Sequence, residues 1–397
     1  MKVCFVYNSI FTQGGIQRCV TILSNYLVKK GYDVTVICCD NYTHLDRKMY
    51  NLNSEVKVIF IKNSFIKRIL RLYRKPLHYL NNKYGIFKNC LCILKKIYYP
   101  AYHDIKKIID KENYDLIISN SSYFNALISL LNIKNKIKIG WQHSSYSSNF
   151  IDGDYLNQDK IVQNMFKELD DYVVLINDDK KLIKKNLGYE VSQIYNALET
   201  IPMETCKFSN KKFIAVGRLV KVKRFDLLIR NFNEFSKFNT DWSLDIYGEG
   251  TEREYLQNLI DEFNLNDRVK LCEFCSNIKE KYLESSIYCM TSIDEGFAMV
   301  VLEAMSCGLP VICYNIPPMR EILKESCGFI IDEGNSEDFI SKMKLLSSDE
   351  KMYNAFSKYA KERSKDFDIE IIGKQWTNLF EKTINKKGKE LKWKHIL

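Results

Sequence analysis

The segment Thr291–Tyr314, TSIDEGFAMVVLEAMSCGLPVICY, changes its apolar period twice in a short span. A strand-like run, Ser286–Ser292, leads into Asp294-Glu295-Gly296. A helical pattern follows from Phe297 to about Cys307, with Gly308 placed to cap it and Pro310 to end it. Pro310–Tyr314 then reads as a second strand. Read this way, Glu295 stands at the helix N-terminus and Glu303 two turns in. Eight residues of helix separate the two carboxylates by about 12 Å along the axis and about 80° around it, so both can face one groove. Backbone N–H groups of Gly296, Phe297 and Ala298 would meet an anion near Glu295. A carboxylate at each end could accept hydrogen bonds from hydroxyls, and about 12 Å matches the reach from a sugar to the ribose of a nucleotide sugar. The plainer alternative makes Glu295 a cap and Glu303 a surface residue. The apolar setting MVVLEAM argues for a buried Glu303, and a buried carboxylate needs partners.

The strand–helix rhythm extends through the chain. In the first half, strands are expected at Lys2–Asn8, Asp33–Cys39, Val56–Ile61, Leu116–Asn120, Ile137–His143 and Tyr172–Asn177, with helical patterns between them such as Gln17–Lys30. The rhythm breaks at 196–210, read as a linker. It restarts with strands at Lys212–Gly217, Trp242–Gly248, Arg268–Phe274, Ser286–Ser292, Pro310–Tyr314 and Gly328–Asp332, separated by helices such as Arg224–Phe238 and Thr251–Phe263. A length of 397 residues agrees with two cores. The fold class is therefore α/β, two successive doubly wound parallel-sheet domains. The tail KKGKELKWKHIL is basic and reads as frayed.

Ligands of such sheets lie beyond the carboxyl ends of the strands, which directs attention to three further stretches. In KFIAVGRLVKVKRFDLLI, Arg218 and Lys223 follow a strand and precede a helix, an arrangement able to clamp a diphosphate and neutralise charge growing on it as it leaves. In NSIFTQGGIQR, Gly14 and Gly15 join a strand to a helix. That loop lacks G-x-G-x-x-G, since Arg18 stands three after Gly15, so a nicotinamide oxidoreductase is disfavoured. In IKIGWQHSSY, His143 ends a strand.

These motifs together resemble the retaining glycosyltransferases of family 4. The resemblance rests on EGFAMVVLE (E-x7-E), EAMSCGLPVI, GRLVKVKRFD, GGIQRCVTILSNYLVKKGYDVTVI and IYNALE, which occur in that family's order between residues 3 and about 331. It implies a GT-B fold, two Rossmann-like domains facing a central cleft: 1–195, joined by a C-terminal helix at about 366–386, and 196–365, which holds the nucleotide. It implies transfer of a hexosyl or N-acetylhexosaminyl group from a nucleotide sugar, UDP-linked, with retention at the anomeric carbon. Arg218 and Lys223 are then expected at the diphosphate and Glu303 at the ribose. Glu295, Gly296 and Phe297 are expected at the donor sugar, and Gly15 where backbone approaches the diphosphate. His143 is expected beside the donor sugar and the acceptor, orienting a hydroxyl or stabilising positive charge through its carbonyl. The resemblance implies neither cofactor nor bound metal. No carboxylate is placed for a covalent double displacement, so a same-face, ion-pair-like substitution is favoured.

Composition narrows the setting. Thirteen cysteines, an odd number and many inside apolar runs, suit reduced thiols in a cytoplasm. A single CxxC, Cys272 and Cys275, lacks the partners of a zinc site. Asp152-Gly153-Asp154 matches the D-x-D of metal-dependent transferases but follows no clear strand. No signal peptide or membrane span is expected. Net charge is +10, and residues 61–111 hold thirteen Lys/Arg against two acids. Within them Ser64–Lys75 divides sharply into apolar and basic faces, as helices on anionic membranes do. A helix packed on its own domain would show the same pattern. The membrane reading places the protein peripherally on the inner face of a bacterial plasma membrane. Its acceptor would be a polyprenyl-diphosphate-linked saccharide in capsule, exopolysaccharide or O-antigen-type synthesis, with nucleic acid excluded as a partner. A GT-B nucleotide-sugar epimerase and a non-catalytic membrane-bound assembly partner are the alternatives.

Overall fold

Val- and Ile-rich runs of four to six residues supply most strands of two all-parallel sheets. The computed structural model describes residues 1–394 except 40–46, 49, 62–75, 77–78, 82, 87–89, 134–135 and 325. The chain divides into two compact units, Met1–Ala197 with Ile369–Leu397, and Leu198–Asp368.

In the first unit β1 (Lys2–Tyr7), β2 (Asp33–Cys38), β3 (Lys57–Phe60), β4 (Leu116–Asn120), β5 (Ile137–Trp141), β6 (Asp171–Val174) and β7 (Ser192–Gln193) lie in the order β3-β2-β1-β4-β5-β6-β7. Val3, Phe5, Ile117 and Ile118 are fully buried, as parallel strands covered on both faces require. Strand β7 has two residues, too short for any periodicity to announce it. The helices are α1 (Gly15–Lys29), α2 (Leu91–Glu112), α3 (Ser122–Leu130), α4 (Asp159–Glu168) and α5 (Asn177–Leu187).

In the second unit β8 (Lys212–Val216), β9 (Ser243–Tyr247), β10 (Val269–Cys272), β11 (Ile287–Met290), β12 (Val311–Tyr314) and β13 (Gly328–Ile331) take the order β10-β9-β8-β11-β12-β13. Phe213 packs its ring 4.8 Å from Trp242 and 5.1 Å from Phe235 at the centre of the core. Its helices are α6 (Phe225–Ser236), α7 (Arg253–Glu262), α8 (Ile278–Leu283), α9 (Met299–Ser306), α10 (Pro317–Ile322), α11 (Ser336–Ser348) and α12 (Glu350–Ser364).

The last helix, α13 (Ile369–Lys394), belongs to the first unit. The residues read as a frayed tail are thus helical through Lys394, with no proline to stop them. Trp376 of α13 stacks edge-on to Trp141 at 4.8 Å, both nearly inaccessible. Gly373 lets α13 approach α1, for a Cβ there would stand 2.4 Å from the Tyr26 ring. Within the second unit, the segment that opens it is anchored: the Leu198 N–H donates to the Phe367 carbonyl at 2.8 Å and the Cys206 N–H to that of Cys307 at 2.9 Å.

The amphipathic stretch Ser64–Lys75 lies outside the described residues. Downstream, α2 buries Ile105 and Ile109 against its own unit and exposes His103, Lys107 and Lys111. Among the described residues no helix is long and apolar enough to cross a membrane.

Gly373→Ala should lower the melting temperature of the protein. Overpacking costs about 1–3 kcal/mol and outweighs the roughly 1 kcal/mol that Ala gains over Gly inside a helix. An unchanged melt in differential scanning calorimetry would show that Tyr26 yields freely.

Candidate functional site

Each sheet reverses its strand order once, between β1 and β4 in the first unit and between β8 and β11 in the second. Chain leaving the carboxyl ends of such neighbouring strands parts to opposite sides and leaves a crevice.

In the second unit the loop after β8 carries Gly217–Lys223 and the loop after β11 carries Thr291–Ala298. The two loops are sewn together. The Thr291 hydroxyl lies 2.9 Å from the carbonyls of both Lys223 and Arg224, and the Ile293 N–H donates to the Val222 carbonyl at 3.1 Å. The Lys223 ammonium donates to Glu295 Oε1, and both side chains are largely covered. Arg218, by contrast, is exposed and makes no side-chain hydrogen bond or ion pair among the described residues. Lys221–Lys223 forms a single 3₁₀ turn, and Arg224 takes the left-handed conformation at φ 51° before α6 begins.

The helix after Glu295 begins later than its sequence pattern indicates. It starts at Met299, because Ala298 adopts φ 59°, a left-handed value that breaks the helical path. Such a conformation costs a non-glycine residue about 1 kcal/mol or more, and strain of this kind gathers at ligand sites. Glu295 therefore does not head the helix but lies in the loop four residues before it. The separation of about 12 Å, built on continuous helix at 1.5 Å per residue, no longer applies. Likewise the N–H groups of Gly296, Phe297 and Ala298 are loop amides rather than the first turn of α9. Phe297 is 3% exposed and packs 6.0 Å from the Phe367 ring, so its contact with any ligand is through backbone.

Glu303 is buried on α9. It and Glu295 converge electrostatically on Tyr288. Burial first, and then the charges of these two carboxylates, push the Tyr288 phenol well above its ordinary pKa. Its hydroxyl donates to the Val216 carbonyl at 3.3 Å, at the very end of β8. Tyr288 and the loop Gly248-Glu249-Gly250 are contributors that the motif reading misses. A Cβ on Gly248 would stand 1.9 Å from the Gly217 carbonyl oxygen, and one on Gly250 2.3 Å from that of Leu219. The Leu219 N–H donates to the Glu249 carbonyl at 2.8 Å. Two glycines at a strand end, G-E-G after β9, were the available signal that one loop presses on another.

In the first unit α1 starts at Gly15, with the Gly14 N–H donating to the Tyr50 hydroxyl at 3.0 Å. Nothing lies within 4 Å of where a Gly15 Cβ would stand, so packing inside this unit does not demand glycine there. The first-turn N–H groups of α1 form an N-terminus able to receive an anion.

His143 follows the carboxyl end of β5. Its ring lies 4.4 Å from that of Trp141, and Nε2 is 3.2 Å from Asn120 Oδ1 at the end of β4. Asn120 points its amide nitrogen toward the carbonyls of Val6 and Ile118, leaving Oδ1 to accept. That assignment puts the imidazole proton on Nε2 and leaves Nδ1 as an acceptor. Although the residue retains some surface, its ring is desolvated, which lowers its pKa from 6.5 to about 3. His143 is therefore neutral at pH 7.

The segment bearing His143 is held by Asp179, a residue absent from any motif. Asp179 is 4% exposed in the first turn of α5 and accepts from Gln142 Nε2 at 2.9 Å and the Tyr146 N–H at 3.1 Å. The Tyr172 hydroxyl donates to Gln142 Oε1 at 3.1 Å.

Asp152-Gly153-Asp154 serves its own loop. The Ser122 hydroxyl donates to Asp154, and a Cβ on Gly153 would collide with the Ser148 carbonyl oxygen at 1.6 Å. No group of three or more His, Cys, Asp or Glu is placed to hold a metal among the described residues. Cys272 and Cys275 are half-buried.

The family description Glycosyltransferase Family 4 matches residues 13–200, and Glycosyl transferases group 1 matches residues 204–363. The chain is 27% identical over 390 residues to an uncharacterized glycosyltransferase of Haemophilus influenzae, covering 95% of this chain and 99% of that one. It is 32% identical over 182 residues, 44% of this chain and 49% of the other, to a Campylobacter jejuni protein. That relative is named N-acetylgalactosamine-N,N'-diacetylbacillosaminyl-diphospho-undecaprenol 4-alpha-N-acetylgalactosaminyltransferase. Among solved structures, a mutant of S. aureus TarM in complex with Fondaparinux, alpha-GlcNAc-glycerol and UDP superposes with a TM-score of 0.77 at 16% identity, over 96% of this chain and 99% of that one. Anabaena HepE in complex with UDP and glucose gives 0.72 at 17% identity, over 96% of this chain and 100% of that one. At such identities these structures speak to the fold.

Because His143 binds its proton far less readily folded than unfolded, stability should fall as pH drops through 6.5 toward 3. At pH 5 the loss is about 2 kcal/mol, 1.5 pH units at about 1.4 kcal/mol each. His143→Gln should remove that increment, flattening the melting temperature between pH 7 and pH 5. A slope unchanged by the substitution would assign the acid sensitivity elsewhere.

Proposed function

Since the chain belongs to the glycosyltransferases of the family 4 type, with the two Rossmann-like units of a GT-B enzyme, we propose that it transfers sugar with retention at the anomeric carbon. The donor is a nucleotide sugar, UDP-linked and carrying a hexosyl or N-acetylhexosaminyl group. The acceptor is a lipid-linked or polysaccharide saccharide in the building of a bacterial surface polysaccharide. The names of the Campylobacter relative, which includes a diphospho-undecaprenol, and of the TarM and HepE complexes, which include UDP, support this choice.

One observation carries the reading: two loops bonded to each other at the β8/β11 crevice hold Lys223 and Glu295 in contact. A cation suited to a phosphate and a carboxylate suited to a sugar hydroxyl thus stand side by side before any donor arrives. On binding, the diphosphate takes Lys223 and a sugar hydroxyl takes Glu295, each exchanging one charge-assisted bond for another. Arg218, exposed and without an ion pair among the described residues, adds the second positive charge and the fork geometry that a departing diphosphate requires. Glu303 accepts the ribose hydroxyls. Gly296 and Phe297 offer backbone at the sugar, and Gly15 offers backbone at the head of α1. Neutral His143 presents Nδ1 as an acceptor to an incoming hydroxyl. With two cationic side chains supplying charge at the leaving group, the reaction is proposed to run without a bound metal.

Glu303→Ala should weaken UDP binding at least tenfold by titration calorimetry. Arg218→Ala and Lys223→Ala should instead cut turnover about a hundredfold or more in a UDP-release assay run in EDTA, the scale of losing a transition-state charge contact. Tight GDP binding in place of UDP, or activity abolished by EDTA, would overturn the donor or the metal-free reading respectively.

The exposed row on α2 extends the proposal to an anionic membrane surface. Lys107→Glu with Lys111→Glu should reduce co-sedimentation with phosphatidylglycerol vesicles severalfold at low salt. Equal binding by both forms would remove α2 from the membrane contact.

A further inference from the structure

A hollow of about 370 Å³ opens at the amino ends of β6 and β7, the end of the first sheet opposite to the one that carries His143. Its wall joins the end of α4, Lys180 near the start of α5, and Lys382, Thr383 and Lys386 of α13. Three lysines line it, Lys180, Lys382 and Lys386, and none makes an ion pair or a side-chain hydrogen bond among the described residues. Three carboxylates also line it, and each is already engaged. Asp170 accepts from Lys387 Nζ at 2.7 Å and from the Lys138 N–H at 2.8 Å. Asp171 accepts from the Ser192 hydroxyl at 2.8 Å and the Tyr172 N–H at 2.7 Å. Glu190 pairs with Lys184 at 2.6 Å.

Counting those two partner lysines with the lining residues gives five cations against three anions, a local excess of two. Burial raises the pKa of Asp171, and the positive charge of Lys382 acts on it in the opposite sense. Lys382 and Lys386 are spaced i, i+4 on one helix face, where like charges repel and gain from a shared counter-ion. The apolar part of the wall is Phe166, half-buried and stacked on Tyr189 at 4.4 Å. The volume lies in the range of small-molecule sites.

We propose that this hollow binds a phosphate group, carried by a small molecule, at a second site separate from the donor residues. A solvated row of lysines would be convex and would need no wall. Here the lysines come from two helices and rim a hollow whose carboxylates are already hydrogen-bonded or paired by other groups. A ligand held between α5 and α13 would also brace the helix whose Trp376 supports Trp141 and, through it, His143.

The test is calorimetric titration of the full chain, saturated with UDP so that the donor residues are occupied, with inorganic pyrophosphate. Binding is expected in the native protein. It should weaken at least tenfold in Lys382→Glu/Lys386→Glu, and to a lesser degree in Lys180→Gln, which guards against a folding defect, while UDP affinity stays unchanged. A parallel arm measures binding to phosphatidylglycerol against phosphatidylcholine vesicles. Loss of vesicle binding in the variants with pyrophosphate silent would assign the phosphate to a lipid headgroup at the same site. Pyrophosphate and vesicle binding that are absent in the native protein, or equal in all forms, would overturn the site. Failure of UDP to bind would strike the donor reading alone, and the pyrophosphate titration then proceeds without it.

Discussion

The hydroxyl of Thr291 sits between two backbone carbonyls of a different loop, those of Lys223 and Arg224. The placement of Lys223 beside Glu295 depends on that contact. Strand order diverges between β8 and β11, so the chain leaving one has no sheet reason to meet the chain leaving the other. Thr291 and the Ile293 N–H supply the reason. Once the loops are bonded, Lys223 and Glu295, 72 positions apart, become neighbours. Gly248 and Gly250 press on the same β8 loop from its other side and permit it only one path.

The ionic design differs between the two cations. Lys223 is covered and already bonded to a carboxylate, which offsets the cost of removing it from water. Arg218 stays in solvent, where keeping a charge ready costs little. A diphosphate thus meets one cation that must change partners and one that is free to move. In the first unit, neutrality replaces charge. Trp141, wedged between Trp376 and His143, desolvates the imidazole and holds it as a hydrogen-bond acceptor. The Asp179 network fixes the segment that follows, so that His143 is placed from both sides.

Most of the architecture was legible because parallel strands buried on both faces leave continuous Val/Ile runs, and twelve of the strands announce themselves this way. Strand β7, only two residues long, has no pattern to read. Arg218, Lys223, Glu295 and Glu303 were visible because their chemistry is unusual for where they sit, cations at a strand end and a carboxylate in an apolar run. The start of α9 was misplaced for a local reason. Phe297 and Ala298 fit a helical period, and nothing in an alanine's chemistry announces a left-handed backbone. That conformation runs against the helical propensity of alanine, as tertiary context can require. Tyr288 and Asp179 escaped notice because their roles depend on partners distant in sequence. The hollow beside Lys382 is invisible for the same reason, since its walls meet only after α13 has returned to the first sheet.

That return has a consequence for synthesis. The second unit is one continuous segment, Leu198–Asp368, whereas the first is completed by residues after Ile369. A chain emerging from the ribosome therefore has everything needed for the second core before the first has its closing helix. Until then Trp141 lacks Trp376, and the surface of α1 that admits Gly373 is bare to water. The earliest-made half of the protein is the last to be finished. During that interval its exposed apolar face is where a chaperone would bind, and a nascent chain stopped before Ile369 would leave that face uncovered.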